Sequence, residues 1–406
     1  MTAPRAFTVR GVVAFLAAFL GCLAPAPVGG VVGLEDSIVR RLVAHGPWPV
    51  AAARDPSNAV SGTPAAIALG HRLFFDPRLS VNGVIACATC HVPSRGWTDG
   101  RARAAGLTDV DRNTPTILDV ALQRWFSWDG KSDSLWSQSL KPIVDPREMG
   151  ASGEHVAKLV ASDAALACLH AKAFGPPSTE PDRALVHAGK ALAAFMETVR
   201  SGRAPFDDFR DALARGDRAA AARYPAAALR GARLFVKSDC HVCHVGPAFT
   251  NGEFHDVGVP FALAGGRVDG GRFEGVKRVR ADRFNLLSAW NDDRTGAAAV
   301  KTRHVEATHA SFGQFKTPSL RNLVHTAPYM HDGRYATLRE VVKHYSELDM
   351  ERIHTHGEQL LRPLRLSSAE IDDLVAFLES LTDPAPPRMP PPADAVGACA
   401  RRPLRP

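Results

Sequence analysis

Residues 86–100 read ACATCHVPSRGWTDG, and they contain the spacing C-x-x-C-H at Cys87, Cys90 and His91. This spacing is typical of c-type haem attachment, in which both thiols bond to the haem and the histidine binds its iron. From residue 92 to residue 148 the chain contains no further His and no Met. The local sequence therefore favours a haem whose second axial position is open to a small ligand such as peroxide.

A second motif, CHVCH, places the same spacing at Cys240, Cys243 and His244. A zinc site would need two more thiolates or histidines at matched spacing, and a redox C-x-x-C would not need the trailing histidine. The two motifs therefore predict two covalently attached haem c groups. Spacing alone does not choose the second axial ligand of this haem, and the candidates include His255, His304, His309, His325, Met330, His331, His344, Tyr345, Met350, His354 and His356.

Similar segments flank the two motifs. GHRLFFD at residues 70–76 precedes the first and GARLFVK at residues 231–237 precedes the second. Far downstream of each motif, residues 183–202 and 367–381 repeat apolar side chains at helical spacing. One helix before a haem and another packing across it is the plan of a c-type cytochrome domain. We therefore predict a mainly α-helical fold of two tandem c-type cytochrome domains, each carrying one covalent haem.

The predicted N-terminal domain, with the peroxide-binding haem, covers residues 34–212, and the predicted C-terminal domain, with the electron-transfer haem, covers residues 213–383. Residues 1–30 read as a secretion signal, because a positive end precedes an apolar run too short to span a bilayer. We therefore expect a periplasmic protein without a transmembrane span, and lipoprotein anchoring at Cys22 is the alternative. Residues 384–406 are proline-rich and predict a disordered tail.

The 406 residues are 45% hydrophobic and 22% charged, as in soluble globular proteins. The net charge of +7 lacks a long basic block, so a solvated surface explains it better than an acidic partner, and no nucleic acid partner is expected. Cys168 lies in a helical stretch and Cys399 in the tail, and we expect two free or unrelated thiols. Residues 262–280 are rich in Gly and Arg without apolar periodicity, which favours a long surface loop.

Two long runs carry a family resemblance: DRNTPTILDVALQRWFSWDGKSDSLWSQSLKPIVDPREMG at residues 111–150 and FKTPSLRNLVHTAPYMHDGRYATLREVVKHY at residues 315–345. They resemble the bacterial di-haem cytochrome c peroxidase family, and more closely its MauG branch, within a similarity that extends over residues 64–383. The resemblance implies an enzyme that reduces hydrogen peroxide. It also implies an electron source, either a small cytochrome c or cupredoxin or the side chains of a partner protein.

The resemblance implies roles for individual residues. Trp128 corresponds to an electron relay between the haems, and Gln138, Pro142 and Glu148 correspond to the distal pocket of the peroxide-binding haem. Tyr345 stands where ordinary members of the family have an axial methionine and where the MauG branch has an axial tyrosine.

Tyr345 has a competitor in the adjacent His344, which is the stronger ligand on chemical grounds. Successive residues of a helix point about 100° apart, so only one of the two can face the iron. The resemblance favours Tyr345. It also implies a calcium site between the domains, formed by Asn113 and by the backbone carbonyls of Thr326 and Pro328.

Ordinary members of the family carry a histidine after the first haem motif that must leave the iron on reductive activation, and this chain has none there. Glu148 in a desolvated pocket is suited to moving a proton during O–O cleavage, and Gln138 is suited to donating a hydrogen bond to the bound oxygen. Trp128 is an oxidisable aromatic. The alternative function is a non-enzymatic di-haem electron-transfer cytochrome, which would need two ligands on each iron.

Overall fold

The structure of the chain is a computed structural model. It describes residues 33–51, 53–259, 263, 266–353, 361–385 and 399. The predicted secretion signal and the candidate ligands His354 and His356 lie outside these residues. Among the described residues we find no helix with the length and hydropathy needed to cross a membrane.

The described residues are mainly α-helical, as predicted. The helices of the first half are α1 Asp36–Val43, α2 Pro64–Phe75, α3 Cys87–Cys90, α4 Leu135–Val144, α5 Gly153–Ser162, α6 Ala164–Phe174 and α7 Pro181–Met196. The helices of the second half are α8 Pro205–Arg215, α9 Arg218–Ala221, α10 Ala226–Lys237, α11 Cys240–Cys243, α12 Arg272–Ala281, α13 Val300–His304, α14 Leu338–Ser346 and α15 Ser368–Glu379. Two short strands, β1 Phe254–His255 and β2 Phe315–Lys316, pair antiparallel.

The helices that follow the motifs begin at caps encoded in the sequence. The Glu180 carboxylate accepts from the first backbone N–H groups of α7, and Pro181 occupies the first helical position, where no N–H donor is needed. Ser367 and Glu370 form a reciprocal capping box at the start of α15. The helices predicted downstream of the two motifs are therefore confirmed.

The segment GHRLFFD lies in α2, which packs against α7. The two helices approach most closely at Gly70, where an added Cβ would lie 1.9 Å from the backbone oxygen of Ala191 and 2.9 Å from the Cβ of Phe195. Only glycine permits this contact between helix backbones. Leu73 and Phe74, the Leu-Phe pair of the segment, are buried in the resulting interface.

The segment GARLFVK lies in α10 and repeats this contact against α15. An added Cβ at Gly231 would lie 1.9 Å from the backbone oxygen of Asp373 and 2.8 Å from the Cβ of Phe377. In both halves, the helix before the motif packs against a helix far downstream of the motif. The predicted duplication of this helix pair is therefore present in the structure.

The buried apolar side chains form two large clusters. The first is built mainly from α2 and from α4 to α7, and the second from α1, α8, α10, α14 and α15. Packing does not follow chain order, because α1 and most of α8 precede residue 213 but their apolar faces belong to the second cluster. The domain boundaries 34–212 and 213–383 stay predictions.

A buried charge network joins the halves of the chain. Asp129 is fully buried and pairs with Arg112 at 2.9 Å and with Arg278 of α12 at 3.3 Å. Burial alone would raise the pKa of Asp129, but these cations outweigh it and hold the pKa at about 2. The guanidinium of Arg272 lies 4.1 Å from the ring centre of Trp125. Charged residues on α12 thus fix this helix against the first half.

Two expectations are wrong. Cys168 of α6 and Cys399 form a disulfide, with Cys399 buried in the first apolar cluster. The proline-rich composition around Cys399 carried no signal of a buried anchor 231 residues along the chain. Apart from residues 384, 385 and 399, the predicted disordered tail lies outside the described residues.

The predicted surface loop 262–280 is also wrong in its second part, because helix α12 begins at Arg272. The buried face of this helix contains Arg272 beside Val276 and Val279. Part of this buried face is an arginine stacked on aromatic rings, so the spacing of apolar residues alone did not reveal the helix.

Candidate active site

The first motif forms a short helical turn that presents a histidine. In α3 the backbone N–H of His91 donates to the carbonyl of Cys87 at 2.9 Å. The Nδ1 atom of His91 lies 3.1 Å from the carbonyl of Trp97, which sets this nitrogen as the donor and leaves Nε2 for a metal. Burial lowers the pKa of His91 and so favours the neutral imidazole that binds iron.

The second motif has the same local geometry. The backbone N–H of His244 donates to the carbonyl of Cys240 at 3.0 Å, and its Nδ1 lies 3.0 Å from the carbonyl of Phe249. Burial lowers the pKa of His244 to about 4. His45 of the second cluster packs behind it, with Nε2 3.0 Å from the carbonyl oxygen of His244.

None of the four motif cysteines forms a disulfide, so their thiols fit thioether attachment. A cavity of about 900 Å³ opens beside the first motif, within the usual size range of cofactor and ligand sites, about 300–1,000 Å³. Its walls include the two cysteines and the histidine of the motif and all four residues predicted for peroxide chemistry: Cys87, Cys90, His91, Trp128, Gln138, Pro142 and Glu148.

Helix α4 positions two of these residues. Its N-terminus is capped by Ser134, whose hydroxyl accepts from the backbone N–H of Ser137 at 3.1 Å. Gln138 and Pro142 are four residues apart and therefore share one face of the helix. The Oε1 atom of Gln138 is buried without a hydrogen-bond partner, as expected for a side chain whose partner would be a bound group.

Glu148 follows α4 on a loop that the backbone holds in place. Its N–H donates to the carbonyl of Asp145 at 3.0 Å, and its carbonyl accepts from the N–H of Leu107 at 2.9 Å. The pKa of Glu148 is raised, first by burial and then by the carboxylate of Asp145, against the opposing effects of Lys131 and Arg147. The structure thus holds a carboxyl group of raised pKa in the wall of the cavity.

Trp128 lies where the two halves of the chain meet. Its Nε1–H donates to the carbonyl of Asn113 at 2.9 Å, and its own carbonyl accepts from the backbone N–H of Lys316 in β2 at 2.8 Å. Trp128 therefore lines the cavity while its backbone is bonded to a strand of the second half.

Tyr345 and His344 differ in what surrounds them on α14. Burial raises the pKa of Tyr345, and the thiols of Cys240 and Cys243 are near enough to raise it further. Both ring nitrogens of His344 already have partners: Nδ1 lies 3.0 Å from the hydroxyl of Tyr335, and Nε2 lies 2.8 Å from the carbonyl of Val257.

Other candidate ligands of the second haem are engaged elsewhere. The ring of His331 stacks on Phe315 with centres 3.5 Å apart, and Nε2 of His255 lies 3.1 Å from the amide of Asn251.

The segments that carry the predicted calcium ligands meet. The backbone N–H of Asn113 donates to the carbonyl of His331 at 2.8 Å, close along the chain to Thr326 and Pro328. The described residues contain no group of three or more His, Cys, Asp or Glu suited to a metal. A calcium ion at this place would therefore depend on amide and carbonyl oxygens, which are ordinary calcium ligands.

Sequence reasoning missed several residues of the cavity wall. Lys316 lines the cavity, and burial lowers its pKa to about 7. Its position inside the run FKTPSL was the available signal. Arg267 and Asp269 also line the cavity, but they belong to the segment interpreted as a surface loop, and nothing in their local pattern indicated contact with the first motif.

Comparison with known proteins places these features in context. A profile of the family described as di-haem cytochrome c peroxidase matches residues 64–215. The methylamine utilization protein MauG of Methylorubrum extorquens is 39% identical over 322 residues, which cover 79% of this chain and 78% of that protein. Cytochrome-c peroxidase IdrP2 of Pseudomonas sp. (strain SCT) is 32% identical over 378 residues, which cover 89% and 95%.

Solved structures are similar over most of the chain. A MauG-like protein associated with microbial copper homeostasis has a TM-score of 0.65 at 28% identity, covering 86% of this chain and 98% of that one. The diheme peroxidase BthA of Burkholderia thailandensis has a TM-score of 0.62 at 25% identity, covering 84% and 92%.

Proposed function

The chain belongs to the di-haem cytochrome c peroxidase family, and on that premise we propose how its residues divide the reduction of hydrogen peroxide. Family membership makes it an oxidoreductase that acts on peroxide with two haem c groups. Each of its two cytochrome units holds one haem, at His91 and at His244. His91 would hold a haem that supplies an iron for peroxide binding, and His244 would hold a haem that supplies a store for one of the two oxidising equivalents.

The observation that carries this proposal is the unequal surroundings of two equal motifs. The first motif shares one cavity with Gln138, Pro142 and Glu148, whereas the second lies beside the phenol of Tyr345. A cavity that carries a few polar side chains suits an exogenous oxidant, and a fixed side-chain ligand suits electron transfer.

Glu148 and Gln138 supply the acid–base work. Reduction of hydrogen peroxide to two waters consumes two electrons and two protons, and O–O cleavage requires a proton to leave the inner oxygen and reach the outer one. The Glu148 carboxylate takes and returns that proton, and its raised pKa makes it a stronger base for taking the proton than an ordinary carboxylate. The amide of Gln138 donates a hydrogen bond to the bound oxidant, and Pro142 beside it keeps the wall apolar.

Trp128 relays electrons between the two haem sites. Its indole N–H is bonded to the carbonyl of Asn113, which is not a base, so the indole keeps its proton while an electron passes. Its position in the cavity wall, with its backbone bonded to Lys316, supports this role.

Tyr345 holds the second haem iron through its phenol oxygen. His344 is the less suitable ligand, because whichever ring nitrogen bound the iron would have to give up its hydrogen bond to Tyr335 or to Val257. An oxygen ligand favours storage of an oxidising equivalent more than the methionine of ordinary members does.

Asn113, with the carbonyls of Thr326 and Pro328, holds a calcium ion that stiffens the contact around Trp128. The contact of Asn113 with His331 supports this assignment, because it brings the two ligand segments together.

The protein acts in the periplasm and takes electrons from a small cytochrome c or cupredoxin, or from side chains of a partner protein. The secretion-signal pattern of residues 1–30 and a disulfide between Cys168 and Cys399 support export.

Rapid mixing of the ferric protein with hydrogen peroxide tests this function. We expect the absorbance bands of both haems to change together, and the second band to lag or stay constant in Trp128→Phe. Trp290→Phe, at a partly buried tryptophan outside the cavity wall, is the control. Two haems that are both low-spin at rest and silent toward peroxide would instead indicate an electron-transfer cytochrome.

A further inference from the structure

Part of the wall of the cavity beside the first motif comes from the second half of the chain. We call residues 266–271 the wall segment. Arg267, Val268, Asp269 and Gly270 of this segment line the same cavity as Glu148. A haem bonded to the motif thiols would take up part of this cavity, and an oxidant would share the remaining space with the wall segment.

Two ion pairs, which we call the clasp, hold the wall segment to the first half. The outer pair joins Arg267 to Asp111, and the inner pair joins Asp269 to Arg112 through two hydrogen bonds of 2.8 and 2.6 Å. The partners on the first half are consecutive residues. The outer pair is largely exposed, with Arg267 57% and Asp111 24% accessible, whereas Asp269 is 4% accessible.

The outer pair of the clasp continues toward a residue of the proposed chemistry. Asp111 also pairs with Arg147 at 2.9 Å, and Arg147 is the neighbour of Glu148 in sequence. The clasp therefore couples the wall segment to the loop that positions the proposed proton-transfer group.

The other end of the wall segment is held independently. The carbonyl of Gly270 accepts from the N–H of Gly313 at 3.2 Å, and the N–H of Arg272 donates to the carbonyl of Gln314 at 2.8 Å. The end near Arg267 is held by the clasp and by the N–H of Leu263, which donates to the carbonyl of Arg267 at 2.8 Å. Weakening the clasp would therefore loosen that end while the anchor at α12 stays in place.

We propose that the wall segment, closed by the clasp, is a size filter that admits hydrogen peroxide and excludes organic hydroperoxides. This proposal rests on the proposed peroxide reduction at the first motif. A bulky alkyl group on the oxidant would have to displace Arg267 and Val268, and doing so would break the outer ion pair.

The first test is Arg267→Ala in the purified holoprotein, with steady-state kinetics on hydrogen peroxide and on tert-butyl hydroperoxide. The ratio of kcat/KM for the bulky oxidant to that for hydrogen peroxide should rise about fivefold, the most that loss of one exposed ion pair can supply. Arg283→Ala is the matched control, because Arg283 and Asp182 form an ion pair of similar exposure, 66% and 28%, outside the cavity wall. An unchanged ratio in a folded Arg267→Ala protein would overturn the proposal.

A second variant, Asp269→Asn, weakens the inner pair while keeping the side-chain shape, and it should raise the ratio roughly tenfold. The rate of ligand binding to the ferric first haem tests the filter independently of peroxide turnover. Association of 4-phenylimidazole should accelerate in both variants relative to cyanide. A wild-type protein that does not turn over peroxide would refute the proposed function. Equal acceleration of 4-phenylimidazole and cyanide binding in the variants would refute the filter, whether or not the protein turns over peroxide.

Discussion

In both C-x-x-C-H motifs the histidine ring is fixed by a backbone carbonyl a few residues along the chain, at 3.1 Å for His91 and 3.0 Å for His244. In both, the helix before the motif crosses a later helix at a glycine, Gly70 or Gly231, whose added Cβ would meet a backbone oxygen at 1.9 Å. The side that holds the haem is thus duplicated.

The facing sides differ. A cavity with Glu148 and Gln138 opens beside the first motif, and the phenol of Tyr345 lies beside the second. The same arrangement of haem motif and crossing helices, which we call the shared frame, therefore supports two chemical roles. The difference resides in a few side chains outside the shared frame.

The strongest way to break the comparison is to remove the acid–base group from the first site alone. Glu148→Gln should lower peroxide-dependent turnover by about 10²–10⁴-fold, because a positioned proton-transfer group contributes that much. Haem content and the resting spectrum should stay the same. Glu154→Gln, at an exposed acid of the first turn of α5, is the control. A Glu148→Gln protein that keeps most of its turnover would show that proton transfer does not depend on this carboxyl group.

Matched substitutions at the two glycines test the shared frame. Gly70→Val and Gly231→Val should each lower the free energy of unfolding by about 3 kcal/mol, since the new side chain meets backbone that cannot move aside. Ala171→Val on the exposed side of α6 should cost about 0.5 kcal/mol or less. Denaturant titration of the holoprotein measures all three. Clearly unequal costs at Gly70 and Gly231 would mean that the duplication is only approximate.

Substitutions on α14 sharpen the comparison at the second site. Tyr345→Phe removes the phenol oxygen and should change the spectrum of the second haem while leaving the first haem unchanged. His344→Gln should leave both spectra unchanged and should cost about 1 kcal/mol of stability through its lost hydrogen bonds. If His344→Gln alters the second haem and Tyr345→Phe does not, the assignment of the ligand is reversed.

The shared frame could be predicted from the sequence because its determinants are local. Haem attachment requires a fixed short spacing, and the crossing helices carry a glycine, a Leu-Phe pair and an apolar face at helical period. The caps Glu180 and Ser367 also act within a few residues of themselves. Such features are readable in one chain without knowledge of the tertiary contacts.

The cavity wall could not be predicted, because it depends on contacts between distant segments. Arg267 and Asp269 pair with Asp111 and Arg112, which lie far earlier in the sequence. The charges of Arg267 and Asp269 looked like those of a solvated loop. The disulfide at Cys399 was missed for the same reason, since a lone cysteine in a proline-rich tail gives no sign of its partner.

The smallest expected effect concerns pH, and it follows from the raised pKa of Glu148. The proton-accepting form is the carboxylate, so kcat/KM should fall with decreasing pH along a limb displaced above the ordinary carboxyl pKa. The same shift makes ionisation unfavourable in the folded state, so wild-type stability should decline as pH rises from the unfolded pKa through the folded one. Glu148→Gln, which stays neutral, should therefore have a slightly higher denaturation midpoint than the wild type at mildly alkaline pH, and the same midpoint below the ordinary carboxyl pKa. A midpoint difference with the opposite pH dependence would mean that the carboxylate is stabilised by its surroundings, and the asymmetry between the two sites would then need another source.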